Sequence, residues 1–282
     1  MTRQLDFRDH RRTLGENRYV YAVVSRRAGG LSIGLNLNPD KVCNFDCPYC
    51  QVDRTPSGLE NLTRGVDVSR LSAELDGLLA WVQDGSLWGR APFDTAAPEH
   101  RHVVDLAFAG DGEPTSSRAF PAAAAAVRSI RDHHGLTATP IRLLTNATLL
   151  HRASVQAGLP HIDEIWAKLD AGTPEWFAKV DGTAFSFERV LKNLTELARA
   201  RPITLQCMFP EMDGQGPTDG ETDAWVGRLC AIRDAGGTIA EVQVYTVART
   251  PSSPRVGRLS LERLEQIAQR ARDEGFTVGS YR

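Results

Sequence analysis

The chain has 282 residues, 41% of them hydrophobic and 24% charged; these ordinary globular proportions supply a sizeable core and exclude an extensively disordered chain. A formal net charge of −2 excludes a global electrostatic pull toward nucleic acid or an anionic membrane. No run approaches the roughly 18 apolar residues of a membrane span, and the N-terminus lacks the apolar core of a signal peptide, so the expected location is cytoplasmic, where thiols stay reduced.

Residues 1–30 read as an N-terminal extension, locally basic at Arg3, Arg11, Arg12, Arg18, Arg26 and Arg27. A solvated surface explains those charges as well as a phosphate-binding patch does. Within the extension, residues 18–25 alternate with β-rich side chains and predict a short strand. Residues 31–37 form the first strand of the main sheet, stopped by Asn38-Pro39-Asp40. Leu71, Leu75, Leu78, Leu79 and Val82 recur at helical spacing and predict a helix over residues 68–81. Residues 84–101, rich in Gly, Pro and Ala, read as a long connection, whose Trp88 and Phe93 are expected to cover the bottom of the sheet or a partner.

A second strand is expected over residues 103–108, a helix over 116–133, a third strand over 141–144, a short helix near Ala153 and a fourth strand over 162–169. The remainder reads as a helix over 187–198, a strand over 203–209, a helix over 222–234, a strand over 239–247 and a helix over 259–272, with an edge strand over 276–281. Six alternations of strand and helix argue a parallel sheet, and right-handed crossovers curl such a sheet toward a barrel. The expected fold is α/β, a partial (βα)6 TIM-like barrel with a short N-terminal β extension, in a single domain over residues 1–282.

In a parallel βα barrel the active site is built from loops that follow strands, and that rule sorts the candidates. After the first strand comes Cys43-Asn44-Phe45-Asp46-Cys47-Pro48-Tyr49-Cys50, which gathers three of the five cysteines. A packed structural cysteine needs no neighbours of its kind, so this loop reads as a metal site or as paired disulfides. Structural zinc and ordinary ferredoxin clusters each ask for four ligands. Three thiolates on a cubane of four irons leave one iron open, which suits catalysis; zinc with a fourth ligand from elsewhere remains the alternative. After the second strand, Gly110-Asp111-Gly112-Glu113-Pro114 allows a close backbone approach to a ligand. Asn146 follows the third strand, Lys168 and Asp170 share a face at the end of the fourth, and Gln243 and Tyr245 share a face on the sixth. Arg249, just beyond the sixth, has the planar fork that clamps a carboxylate or phosphate of the substrate. Cys207 and Cys230 read as packed thiols, His133 and His134 as a helix C-terminus, and His100 and His102 as residues without metal partners.

The C-x3-C-x-aromatic-C spacing, with Tyr49 as the aromatic, resembles the cluster motif of the radical S-adenosylmethionine (SAM) superfamily. Ser25-Arg26-Arg27, Gly34-Leu35-Asn36-Leu37 and residues 41–51 resemble the opening of the branch related to the wyosine (tRNA imidazoguanosine) synthases. The resemblance implies a 4Fe–4S cluster on Cys43, Cys47 and Cys50, with SAM on the open iron and cleaved reductively to methionine and a 5′-deoxyadenosyl radical. It further implies that Tyr49, the turn from Gly110 to Pro114 and Asn146 bind the cofactor, the turn receiving the SAM amino group. Lys168 and Asp170 read equally as a structural ion pair or as ribose and carboxylate contacts to SAM, and Gln243 and Tyr245 as the lining of the adenine pocket. An electron donor such as a flavodoxin or ferredoxin is implied as a partner. The branch suggests a tRNA guanosine as substrate, but no cysteine precedes Cys43 to hold a second cluster, so a small molecule or nucleoside is the expected target. The alternative of another class is a non-catalytic, zinc-stabilised RNA-binding module.

Overall fold

In the computed structural model of the chain, residues 14–24, 29–52, 65–249, 251 and 253–281 are described. The motif Ser25-Arg26-Arg27 and the basic residues Arg3, Arg11 and Arg12 lie outside them. The strands are β1 (Val20–Val24), β2 (Leu31–Leu35), β3 (Val103–Phe108), β4 (Ile141–Thr145), β5 (Glu164–Lys168), β6 (Ile203–Met208), β7 (Pro210–Met212), β8 (Ile239–Tyr245), β9 (Val256–Arg258) and β10 (Val278–Tyr281). The helices are α1 (Val68–Gln83), α2 (Phe120–His133), α3 (Ala153–Gly158), α4 (Pro174–Asp181), α5 (Phe187–Ala200), α6 (Asp219–Asp234) and α7 (Leu261–Asp273). One sheet carries the order β1-β2-β3-β4-β5-β6-β8-β10, with β7 and β9 in a separate pair. The six expected parallel strands are therefore β2, β3, β4, β5, β6 and β8, in the order of a partial TIM-like barrel. Internal packing divides the chain into two compact units, residues 1–43, 56–144 and 152–164, and residues 44–55, 145–151 and 165–282.

In the first unit β1 pairs antiparallel with β2, which runs parallel to β3, as β3 does to β4. α1 starts where the Asp67 carboxylate accepts the Arg70 N–H, and it buries Leu71, Leu75, Leu78 and Leu79 along one stripe. α2 turns its alanines inward at Ala123 and Ala124, and Phe120 meets Phe108 edge to face at 5.6 Å. Ile141, Leu143 and Thr145 are buried on one face of β4. From the other face Arg142 reaches Asp105, which also accepts from Ser32, and Glu164 at 2.7 Å. The connection over residues 84–101 is not a plain loop: three short 3-10 turns bury Leu87 and Phe93, while Trp88 is half-buried.

In the second unit β5, β6, β8 and β10 are all parallel, which confirms the expected edge strand. Ile165, Ala167, Leu205, Cys207, Val242 and Val244 are buried on the alternate positions of these strands. Lys168, Gln206, Gln243 and Tyr245 occupy the other set. α5, α6 and α7 begin at Ser186, Thr218 and Ser260, whose hydroxyls each accept an N–H from the first turn. Three elements were not expected. α4 begins at Thr173, carries Pro174 in its first turn and ends on Gly182 in the left-handed region. β7 and β9 pair antiparallel and tie together the segments that follow β6 and β8.

Candidate metal centre and cofactor site

In the first unit, the segment that leads into Cys43 is packed against the glycine turn. Asn36, just past β2, donates to the Asp111 carboxylate at 2.7 Å and accepts the Asp111 N–H at 3.2 Å. Asn38 donates to the Ser116 hydroxyl at 3.1 Å. A Cβ on Gly112 would stand 2.2 Å from the Val42 carbonyl oxygen, and one on Gly110 would stand 2.3 Å from Asn36 Oδ1. Both glycines are thus required by close approach. Glu113 is buried and turned back on its own loop, where Oε1 accepts from the Thr115 N–H at 3.1 Å and its hydroxyl at 2.5 Å. Pro114 opens the short 3-10 turn that follows.

In the second unit, the rest of the cysteine loop is tied to residues just past the C-terminal ends of parallel strands. Asn146, after β4, donates to Asn44 Oδ1 at 2.7 Å; Asn44 donates to Thr148 at 2.7 Å, and Thr148 closes the triangle on Asn146 at 2.7 Å. The Tyr49 hydroxyl donates to Asp170, which also accepts the Met208 N–H at 2.9 Å. Gln51 donates to the Arg249 carbonyl at 3.1 Å, and the Ser253 N–H to the Pro48 carbonyl at 3.3 Å. The Cys50 N–H donates to the Cys47 carbonyl at 2.8 Å, a tight turn that brings these two cysteines together. Tyr49 and Tyr245 also pack against an apolar cluster of Met208, Met212, Val247 and Val256. Gln243 is buried in a polar chain, accepting from Gln206 at 3.1 Å and donating to Glu241 at 2.9 Å.

The charged heart of this unit is Lys168. Its Nζ lies 2.6 Å from Asp181 Oδ1, 3.0 Å from Cys47 Sγ and 3.3 Å from Asp170 Oδ2, and 4.6 Å from the centre of the Tyr49 ring. Burial disfavours the ammonium, yet Asp181, Cys47 and Asp170 hold it well above the ordinary amine range. Burial pushes the Asp181 carboxyl up to about 7 against the pull of Lys168. Burial likewise pushes the Cys47 thiol up to about 12, although Lys168 pulls the other way. The Lys168 ammonium, shared with two carboxylates, thus only partly offsets the effect of burial on Cys47. A coordinating metal deprotonates a thiol outright, and the half-buried thiols of Cys43, Cys47 and Cys50 are sulfur donors of the kind an iron–sulfur group takes. Among the described residues no three His, Cys, Asp or Glu side chains converge on a single-ion site.

Sequence reasoning missed Asp181, which α4 delivers, and Gly182 beneath it. Gly182 has φ +56°, and a Cβ there would stand 2.1 Å from the Asp46 carbonyl oxygen. It also missed Asn44, Thr148 and Asn36 as anchors. Asp105 and Arg142 form a buried charged group in the first unit, away from any motif. Cys207 is fully buried, as expected, and its thiol is pushed far up by that burial. His134 caps α2, and its ring bonds Asp76 and Gln83 at 2.8 Å each.

Solved structures share this fold. A radical SAM methyltransferase from Sphaerobacter thermophilus superposes with a TM-score of 0.62 at 16% identity, over 93% of this chain and 68% of that one. SuiB of Streptococcus suis, bound to S-adenosylmethionine, gives 0.60 at 12% identity over 91% of this chain and 52% of that one. TYW1 with a lysine–pyruvate adduct gives 0.52 at 13% identity over 87% and 74%. The chain thus has the fold of these radical SAM enzymes. No protein-family profile matches it. Among curated proteins, a UPF0026 protein of Methanocaldococcus jannaschii is 28% identical over 154 residues, 54% of this chain and 40% of that protein. A protein named GTPase Obg from Brachyspira hyodysenteriae is 25% identical over 179 residues, 63% of this chain but only 23% of its own length. The matches thus span less than half of each of these relatives.

Proposed function

We propose that the chain is a radical SAM enzyme in which Cys43, Cys47 and Cys50 hold a 4Fe–4S cluster and SAM binds beside it. The observation that supports this most is the anchoring of the cysteine loop at strand ends, through Asn44 on Asn146 and Thr148 and through Tyr49 on Asp170. When bound and reduced, the cluster supplies the electron that cleaves SAM to methionine and a 5′-deoxyadenosyl radical. The chain's own residues hold, orient and shield. Tyr49, fixed at its hydroxyl by Asp170, walls the loop with an aromatic face. The turn from Gly110 to Pro114 offers backbone groups to the SAM amino group, and Gln243 and Tyr245 line the adenine side. Arg249 is the substrate clamp, a flavodoxin or ferredoxin is the electron donor, and the substrate is a small molecule or nucleoside.

The test is anaerobic reconstitution with iron and sulfide, followed by dithionite and SAM. Iron and acid-labile sulfide in the chain, with release of 5′-deoxyadenosine, is the expected result; a Cys47→Ala variant should release none. One zinc per chain and no 5′-deoxyadenosine would mark a metal-stapled binding module instead.

A further inference from the structure

The Lys168 ammonium has three N–H donors and no acceptor. It donates to Cys47 Sγ at 3.0 Å and forms ion pairs with Asp181 Oδ1 at 2.6 Å and Asp170 Oδ2 at 3.3 Å. The Lys168 side chain is 18% exposed, and those of Asp170 and Asp181 are 0% and 1% exposed. The geometry therefore commits one donor to a sulfur of the cysteine loop and sets the ammonium between two carboxylates. We infer that Lys168 is a positioning residue that sets the reduction potential of the cluster through its hydrogen bond to Cys47, with Asp181 holding the ammonium in place. This rests on the reading that Cys47 is a cluster ligand.

The physical basis is charge. Hydrogen bonds to the ligand sulfurs and net local charge are the protein's main means of setting such potentials. The reduced cluster carries one more negative charge than the oxidised one. A cation 3.0 Å from a ligand sulfur stabilises the reduced form more, and low dielectric around it strengthens the effect. Removing the cation should lower the potential. Removing the negative charge of Asp181 while keeping Lys168 should raise it. The step is a one-electron transfer from the reductant to the cluster, with no bond made or broken.

The experiment is a dithionite titration, with redox mediators and without SAM, of reconstituted wild type and of Lys168→Met, Lys168→Arg and Asp181→Asn. The reduced cluster is followed by electron paramagnetic resonance, and iron and sulfide are counted in each sample. Lys168→Met should make the cluster at least about tenfold harder to reduce, a drop of about 59 mV for one electron. Asp181→Asn should move the potential the opposite way, and Lys168→Arg should restore most of the wild-type value. Opposite signs from neighbouring substitutions are something a merely structural role does not produce. Should Lys168→Met take up no iron, the signs of Asp181→Asn and Lys168→Arg decide. Variants that load iron normally yet shift less than twofold, or all in one direction, overturn the inference and leave the enzyme reading intact. Wild type that binds no iron sinks both.

Discussion

Gly182 carries a constraint that composition does not advertise. It ends α4 at φ +56° with Asp46 against it, so a methyl group there meets both backbone strain and a carbonyl oxygen 2.1 Å away. Gly182→Ala should lose more than the roughly 1–2 kcal/mol that left-handed backbone alone costs an L-residue. Thermal unfolding and iron uptake after reconstitution should fall together. Asp163 is a stability residue of another kind. It accepts from Arg131 at 2.6 Å, Arg128 at 2.6 Å and the Ile141 N–H at 2.8 Å. Burial works against its charge, but these donors outweigh it and hold the carboxyl below its ordinary value of 3.8. Asp163→Asn leaves the buried Arg131 with Asp132 alone as a charged partner and should cost about 1–3 kcal/mol at neutral pH. Because the folded value is depressed, that contribution is complete above pH 3.8 and fades as the pH falls below it. Denaturant melts of wild type and variant should therefore differ by a constant amount from pH 6 to 8 and converge in acid. At this scale the cysteine triplet and the Gly110–Pro114 turn were legible, because each is a local spacing. The anchors Asn44, Asn146 and Thr148 were only partly so, since Asn44 and Asn146 are 102 residues apart in sequence.

Among elements, α4 is the instructive one. Its eight residues lie between Gly172 and Gly182 and open on a proline, so the stretch reads as loop. What makes it a helix is the Thr173 hydroxyl, which accepts the Trp176 N–H at 3.2 Å and donates to Glu221 at 2.6 Å. Phe177 also packs edge-on to Phe45 at 5.7 Å. Thr173→Ala should cost about 0.5–2 kcal/mol, the range for a lost N-cap. It should also loosen Asp181 at the far end of the helix, which a drop in thermal midpoint and a shift in cluster potential would report. The strands were easier to find: β2, β3, β6 and β8 begin within a residue of expectation because buried parallel strands are short apolar runs. β7 and β9 were missed because three-residue strands carry no period, and their partner is 46 residues away.

At the scale of the molecule, the expected α/β succession holds, with β10 added in parallel at the edge. No helix among the described residues is long and apolar enough to cross a membrane. A cofactor that binds only the folded chain should stabilise it by mass action. SAM at 100 times its dissociation constant should add about 2.7 kcal/mol to the reconstituted protein. An anaerobic thermal melt should show that gain in wild type and lose it in Cys43→Ala, Cys47→Ala or Cys50→Ala.

The amino-acid sequence by itself determined the succession of the main parallel strands and their helices, the loop that gathers three cysteines and the Gly110–Pro114 turn. Periodicity and spacing are written over a few consecutive residues, and each is read without knowing what lies opposite. Only the tertiary structure decided that Lys168 donates to Cys47 and pairs with two carboxylates, and that Asp181 is one of them. Those partners come from β5, the cysteine loop and α4, and the low dielectric that makes their charges matter exists only once the chain has folded around them.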